Sequence, residues 1–197
     1  VTETITGESY ADAVLGRQSW TGRHFVACDF TEADLRGLVT ANCTFTDCLF
    51  AGTDLGESRH TASAFRSCTF RGTVFSESTM DNCSLVGSSF ERCRLRPWTL
   101  RETDLSLTAL GGADLRRLSL RGIRFREANL VEVDLRHADL TGADLMGARM
   151  QGARLGEADL REARLDAHAL VQAQLVGARV DLGTAVAFAA AHGLVVD

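Results

Sequence analysis

From Phe25 to Val180 every position divisible by five is the centre of a five-residue unit, and the register runs the whole way without an insertion or a deletion. Of the 32 centres, 18 are Leu and 9 are Phe, with Met80, Met150 and Val180 as near equivalents; only Thr40 and His60 are polar. An α-helix repeats its apolar residues every 3.6 positions and a strand every 2, so a sustained period of five fits neither. Such a chain has to be a repeat architecture.

The rest of each unit says what the repeat does. Two residues before the centre stands something small, such as Ala33, Thr53, Ser63, Ala113 or Ala143. In extended backbone, residues two apart point the same way, so the small residue and the large centre both face inward. Two residues after the centre Gly is frequent, as at Gly37, Gly72, Gly122 and Gly142. Glycine accepts the positive φ of a tight turn, so each unit reads as a short strand followed by a corner.

The unit is spelled out at Ala128-Asn129-Leu130, Ala138-Asp139-Leu140 and Ala143-Asp144-Leu145. It resembles the A(D/N)LXX repeat of the pentapeptide-repeat family. That resemblance implies an all-β solenoid, a right-handed quadrilateral β-helix with four units per coil. The 32 units then give about eight coils over residues 20–180, a rod about 38 Å long at the usual strand spacing of about 4.8 Å.

The two ends depart from the repeat. Residues 1–19 lack the small-then-large pattern although Leu15 falls on the register, so 1–19 is expected to be an N-terminal extension, mobile or loosely docked. Trp20 suits a lid over the apolar end of the stack. After Val180, Asp181 is an N-cap candidate, Thr184–His192 is Ala-rich, and Gly193 stops it, which predicts a short helix within a C-terminal segment 181–197. A helix this short needs a docking partner. Val186, Phe188, Leu194 and Val195 are the candidates for docking on the last coil and for pairing two chains about a two-fold axis.

Within the repeat, Pro97 cannot donate a ladder hydrogen bond and Trp98 is oversized for its slot, so a bulged corner is expected over Arg96–Thr99. Leu140→Asp is expected to be severe and Thr141→Ala almost silent. Cys28, Cys43, Cys48, Cys68, Cys83 and Cys93 all fall two before a centre, where Ala stands later, and read as small buried residues rather than as disulfides or metal ligands.

The chemistry of catalysis is missing from the pattern. His24, His60, His137, His168 and His192 share no metal-ligand spacing, Gly111-Gly112 lacks the rest of a phosphate loop, and no nucleophile motif occurs. A packed solenoid offers no convergent pocket, so no enzyme, cofactor or metal is expected. No stretch of 18 apolar residues or basic-then-apolar leader occurs, and a soluble cytoplasmic protein without membrane contact is expected.

What remains is the outer surface. All 21 basic residues are Arg, and the formal charge is −5. Residues 1–60 carry 9 acids and 4 Arg, residues 61–130 carry 7 and 11, and residues 131–197 carry 10 and 6. Direct nucleic-acid binding through the columns Arg96, Arg116, Arg136 and Arg101, Arg121 is disfavoured by the net charge.

The segment Cys93–Pro97, the step Leu110-Gly111-Gly112, and the ending Val176–Val180 followed by Ala185–Leu194 are similar to the fluoroquinolone-resistance members of the family. That resemblance implies a homodimeric rod that imitates duplex DNA, binds and inhibits DNA gyrase, and protects it from fluoroquinolones. Either gyrase surface, the A-subunit DNA gate or the B-subunit ATPase region, suits a stiff rod. If the C-termini join, Asp134, Asp139, Asp144, Asp159 and Glu162 are the candidate gyrase contacts. An interaction scaffold with a different partner is the alternative.

Overall fold

The computed structural model describes residues 3–196. Each paired strand or bridge residue lies in parallel with the one 20 positions on: Glu3 with Arg23, His24 with Thr44, Asp139 with Asp159. Four units therefore close one coil, and the chain is a right-handed quadrilateral β-helix. Three faces carry ladders of short strands. Glu3–Thr6, Arg23–Val26, Thr44–Thr46 and Ala64–Arg66 form one; Ser19–Thr21 through Trp98–Arg101 form a second; Leu49–Ala51, Thr69–Arg71 and Ser89–Glu91 form a third. The fourth is held by single bridges such as Asp34 to Asp54 and Asp114 to Asp134.

The centres fill the interior. Phe25, Phe45 and Phe65 stack with ring centroids 4.9 and 4.6 Å apart, and Phe30, Phe50, Phe70 and Phe90 at 4.9 Å each. Parallel pairing forces equal side chains into register, so one aromatic slot favours an aromatic in the next. Leucines take over from Leu95, and the core stays closed to Leu160. Burial of side chains of this size contributes about 1.5–3 kcal/mol each.

The small slot has a second task. Thr53 donates to the Phe30 carbonyl at 2.7 Å, Ser88 to Phe65 at 2.9 Å, and the Cys68 thiol to Phe45 at 3.4 Å. A small donor here satisfies a buried carbonyl of the preceding coil. The cysteines are free, and burial pushes the Cys68 and Cys83 thiols up, which keeps them protonated.

Two expectations at the ends need correction. Residues 3–19 are not a separate extension: Ile5 lies opposite Phe25, Tyr10 stacks on Phe30 at 4.9 Å, and Leu15 packs on the core, so this stretch is a further coil. Its centres are only partly buried because no coil covers them, which explains their weaker apolar pattern. Val1 and Thr2, the start of the expected mobile segment, and Asp197 lie outside the described residues. At the other end a helical turn not expected from the repeat, α1 (Ala167–Leu170), replaces one corner. It is capped by the Asp166 carboxylate and buries Leu170. The expected C-terminal helix is α2 (Leu182–Ala191), with Asp181 at its N-cap. The Asp181 side chain caps elsewhere, accepting from the Glu162 amide.

At Pro97 the ladder itself is undisturbed, since Trp98 pairs with Ser78 and Leu100 with Met80. The displacement is confined to the corner. Glu57 donates its amide to Ser76 and Leu107 to Arg126, but Glu77 donates to Pro97, one residue later than that pattern gives. Trp98 is buried against Phe75 at 5.2 Å, with its indole nitrogen unpartnered. His60 is fully buried. It is bonded to the Thr40 hydroxyl at 2.8 Å and the Ser58 hydroxyl at 2.9 Å. Thr141, expected to tolerate loss of its hydroxyl, is buried and donates to Asp139 at 2.6 Å.

Most corners two residues after a centre adopt positive φ whether or not Gly stands there, as at Gly142 (φ 68°) and Leu107 (φ 60°); Pro97, Ala167 and Gln172 depart from this. An L-residue pays about 1–2 kcal/mol for that conformation, less the entropy that Gly loses on folding. Leu107 is 55% exposed, so Leu107→Gly sacrifices little packing and is expected to raise stability by about 0.5 kcal/mol in urea unfolding. Burial lowers the His60 pKa to about 3, against about 6.5 in the unfolded chain. Its stabilising share is therefore complete above pH 6.5 and is lost as pH falls towards 3. His60→Met is expected to flatten the fall of melting temperature across that window.

Candidate partner-binding surface

The outward residue just before each centre carries the Asp or Asn of the unit, and its first role is local. The side-chain oxygen accepts the backbone amide two residues on: Asp54 from Gly56 at 2.8 Å, Asp104 from Ser106 at 2.9 Å, Asp139 from Thr141 at 3.0 Å, Asn129 from Val131 at 3.2 Å. This Asx turn satisfies an amide that the corner removes from the ladder. Asp and Asn serve equally well because only a carbonyl-like oxygen is required.

The second carboxylate oxygen faces out, and at most of these aspartates it meets arginine. Asp134 is gripped by Arg136 at 2.8 Å, Arg154 at 3.2 Å and Arg116 at 3.5 Å. Asp139 pairs with Arg121 at 3.2 Å, Asp144 with Arg126 at 3.0 Å, and Asp159 with Arg161 at 2.6 Å. Arg161 holds the Asp159 pKa at about 2, and Arg136 holds Asp134 low as well. Burial alone would raise Asp139 and Asp144, but the Thr141 and Met146 turn bonds together with Arg121 and Arg126 outweigh it. All four are ionised at neutral pH and largely neutralised by their neighbours.

The five expected contact acids do not form one patch. Asp139 and Asp159 stack on one face, Asp144 lies on the next, and the corner between those faces carries Glu162. These four surround one edge of the rod. Asp134 sits on the far side of the Asp139 face, its side chain 7% exposed and tied to three arginines. Arg36 reaches to Asp54 and Glu57 of the next coil.

Of the acids without an ion pair among the described residues, Glu127, Glu132 and Glu162 stand at corners, all exposed, at positive φ. Glu127 and Glu132 each lean over a glycine of the next coil, Gly147 and Gly152, where a Cβ would meet the glutamate stem at 3.1 and 3.3 Å. The sequence signal for them was present, namely an acid at the corner position where Gly is also frequent.

One open surface groove is lined mainly by charged side chains, Arg17, Glu57, Arg59 and Glu77. No group of three or more His, Cys, Asp or Glu among the described residues could hold a metal ion. No helix there is long and apolar enough to cross a membrane.

The family model for pentapeptide repeats matches residues 24–59, 61–96, 99–130 and 128–166, eight copies in all. The chain belongs to the pentapeptide-repeat family. Among its members, it is 50% identical over 47 residues to the pentapeptide repeat protein MfpA of Mycolicibacterium smegmatis, covering 24% of this chain and 25% of that protein. With MfpA of Mycobacterium tuberculosis it is 53% identical over 49 residues, covering 25% and 27%. The aligned part thus spans about a quarter of these relatives. Among solved pentapeptide-repeat structures, two trypsin-treated variants of QnrB1, a plasmid-mediated fluoroquinolone resistance protein, superpose with TM-scores of 0.84 and 0.86. They cover all of this chain and 98% and 100% of theirs at 20% identity, a likeness of fold.

The aspartate hub gives this pentapeptide-repeat rod a testable weak point. Asp134→Ala removes a turn cap and leaves three arginines without their shared anion, so a loss of about 2 kcal/mol is expected in chemical denaturation. Asp134→Asn keeps the cap and is expected to lose about half of that.

Proposed function

We propose that this chain is a fluoroquinolone-protection protein that binds DNA gyrase through the acidic edge of its C-terminal third. The supporting observation is the pairing of a stiff rod of uniform cross-section with sequence likeness to the mycobacterial MfpA proteins. Asp139, Asp144, Asp159 and Glu162 frame the edge, and Glu127 and Glu132 add acids without counter-charges. Because gyrase works on the chromosome, the site of action is cytoplasmic.

Charge arithmetic limits how far the rod imitates DNA. Duplex DNA as long as two such rods, about 77 Å, carries about 45 negative charges at one per 1.7 Å. A dimer of chains at −5 each carries far less. The imitation is therefore local, with the paired aspartates giving shape and the corner glutamates giving free charge. The neutralised aspartates also favour the competing reading, an interaction scaffold for another protein.

Two chains join through the C-terminal end in this reading. Leu182, Val186, Leu194 and Val195 are 82%, 40%, 63% and 87% exposed, whereas Phe188 packs on its own last coil beside His192. An exposed apolar group of this kind is covered most simply by its own copy about a two-fold axis. Leu182→Asp together with Val186→Asp is expected to convert a dimer to a monomer in sedimentation.

The deciding experiment is a supercoiling assay with purified gyrase, with ATP hydrolysis followed in parallel. Inhibition by the intact chain is expected. Glu127→Gln, Glu132→Gln and Glu162→Gln combined are expected to weaken it about tenfold. Asp139→Asn with Asp159→Asn, which retains both Asx turns, is expected to weaken it less. Gyrase unaffected by the intact chain would leave the scaffold reading in its place.

A further inference from the structure

The middle of the chain has the opposite charge to its ends, with 11 Arg against 7 acids over residues 61–130. On one edge that excess is gathered into a groove. Arg96, Arg116 and Arg136 occupy the same position in three successive coils, each directly after a buried leucine, and Arg117 and His137 follow at the corner. These five side chains line an open cavity of about 320 Å³. It continues into a neighbouring hollow bounded by Pro97 and Leu118.

The local charges do not balance. Asp114 and Asp134 are the two carboxylates bonded to this ladder. Arg96 spends one amino group, Nη1, on Asp114; Arg116 and Arg136 spend Nε and Nη2 on Asp114 and Asp134 respectively. Nη2 of Arg96 and Nη1 of both Arg116 and Arg136 make no hydrogen bond among the described residues. Arg117 is exposed and has no ion pair there, and Asp134 is shared with Arg154 besides. His137 is bonded to Glu157 at 3.1 Å, so one acid also stands at the rim.

We propose that this groove binds an oligophosphate anion, the chain of linked phosphates found free or on a nucleotide. Three guanidinium groups stacked at the strand spacing of about 4.8 Å repel one another, and a linear polyanion lying along the rod relieves all three contacts at once. Guanidinium forks match phosphate oxygens in geometry, whereas a single small anion reaches only part of the ladder. The cavity is at the small-ligand end of the size range for such sites. No Phe, Tyr or Trp lines it, and the one imidazole, His137, is tied to Glu157, so the contacts are to the phosphate chain rather than to a base. Length discriminates against duplex DNA, because a long polyanion would also cross the flanking segments, which carry 9 acids to 4 Arg and 10 acids to 6 Arg.

Calorimetric titration of the full chain with sodium tripolyphosphate tests this. Saturable binding is expected, together with a rise in melting temperature. Arg117→Gln, which removes no ion pair, is expected to weaken binding about tenfold without lowering the melting temperature of the unliganded protein. ATP binding more tightly than tripolyphosphate identifies a nucleotide as the source of the phosphates, and weaker binding identifies the free chain. Absence of tripolyphosphate binding at millimolar concentration, unchanged affinity in Arg117→Gln, or tighter binding of a short duplex at the same salt would each overturn the proposal. These readouts involve no gyrase, so they stand or fall apart from the gyrase reading.

Discussion

Parallel pairing of each residue with the one 20 places later is the constraint from which the rest of this molecule follows. It saturates the backbone of the strands and makes every side chain the neighbour of its own positional equivalents above and below. A choice made once is then under pressure to recur. Stacked phenylalanines at about 4.9 Å are that pressure in the interior, and arginine and aspartate columns are the same pressure on the skin. Where the inward choice is polar, it recurs as well: Thr40 sits beneath His60 and gives it a hydroxyl.

The corners work under a different rule. Most need positive φ, and where Asp or Asn precedes the centre an Asx turn takes up the free amide at the cost of placing a polar group outside. The surface charge of the rod is therefore in large part a by-product of closing its corners. Arginines on adjacent coils then neutralise what the corners introduced, Asp134 with its three partners being the extreme case. Charge that serves a partner has to come from positions with no such duty. In this chain positions without an ion pair among the described residues include Glu127, Glu132 and Glu162 at the corners and Arg117 in the basic groove.

Much of this was legible in the sequence, because a period of five has few physical solutions. The inward slots, the cysteines as packing residues and the C-terminal helix follow from spacing and side-chain size, whereas the four-sided coil came from the family resemblance. The missed features were those where tertiary context outweighed the pattern. Ile5 and Tyr10 hold the register with Glu3 and Glu8 where later coils place something small, and only Leu15 has a small partner, Ala13; an end coil is buried on one side only. Turn α1 is hidden because Asp166-Ala167-His168 reads as an ordinary corner. The fate of each aspartate could not be read either, because partners 18 or 20 residues away depend on which way long arginine side chains lean.

A coil of four equal sides also fixes how such a chain can change its length. Adding or deleting 20 residues lifts everything beyond by one storey and leaves each column continuous. Adding five instead rotates the downstream part by a quarter turn, so that the acidic edge of the C-terminal third no longer stands over the same wall of the N-terminal coils. The relative bearing of the basic groove and the acidic edge is thus set in discrete quarter-turn steps, like the setting of a combination dial.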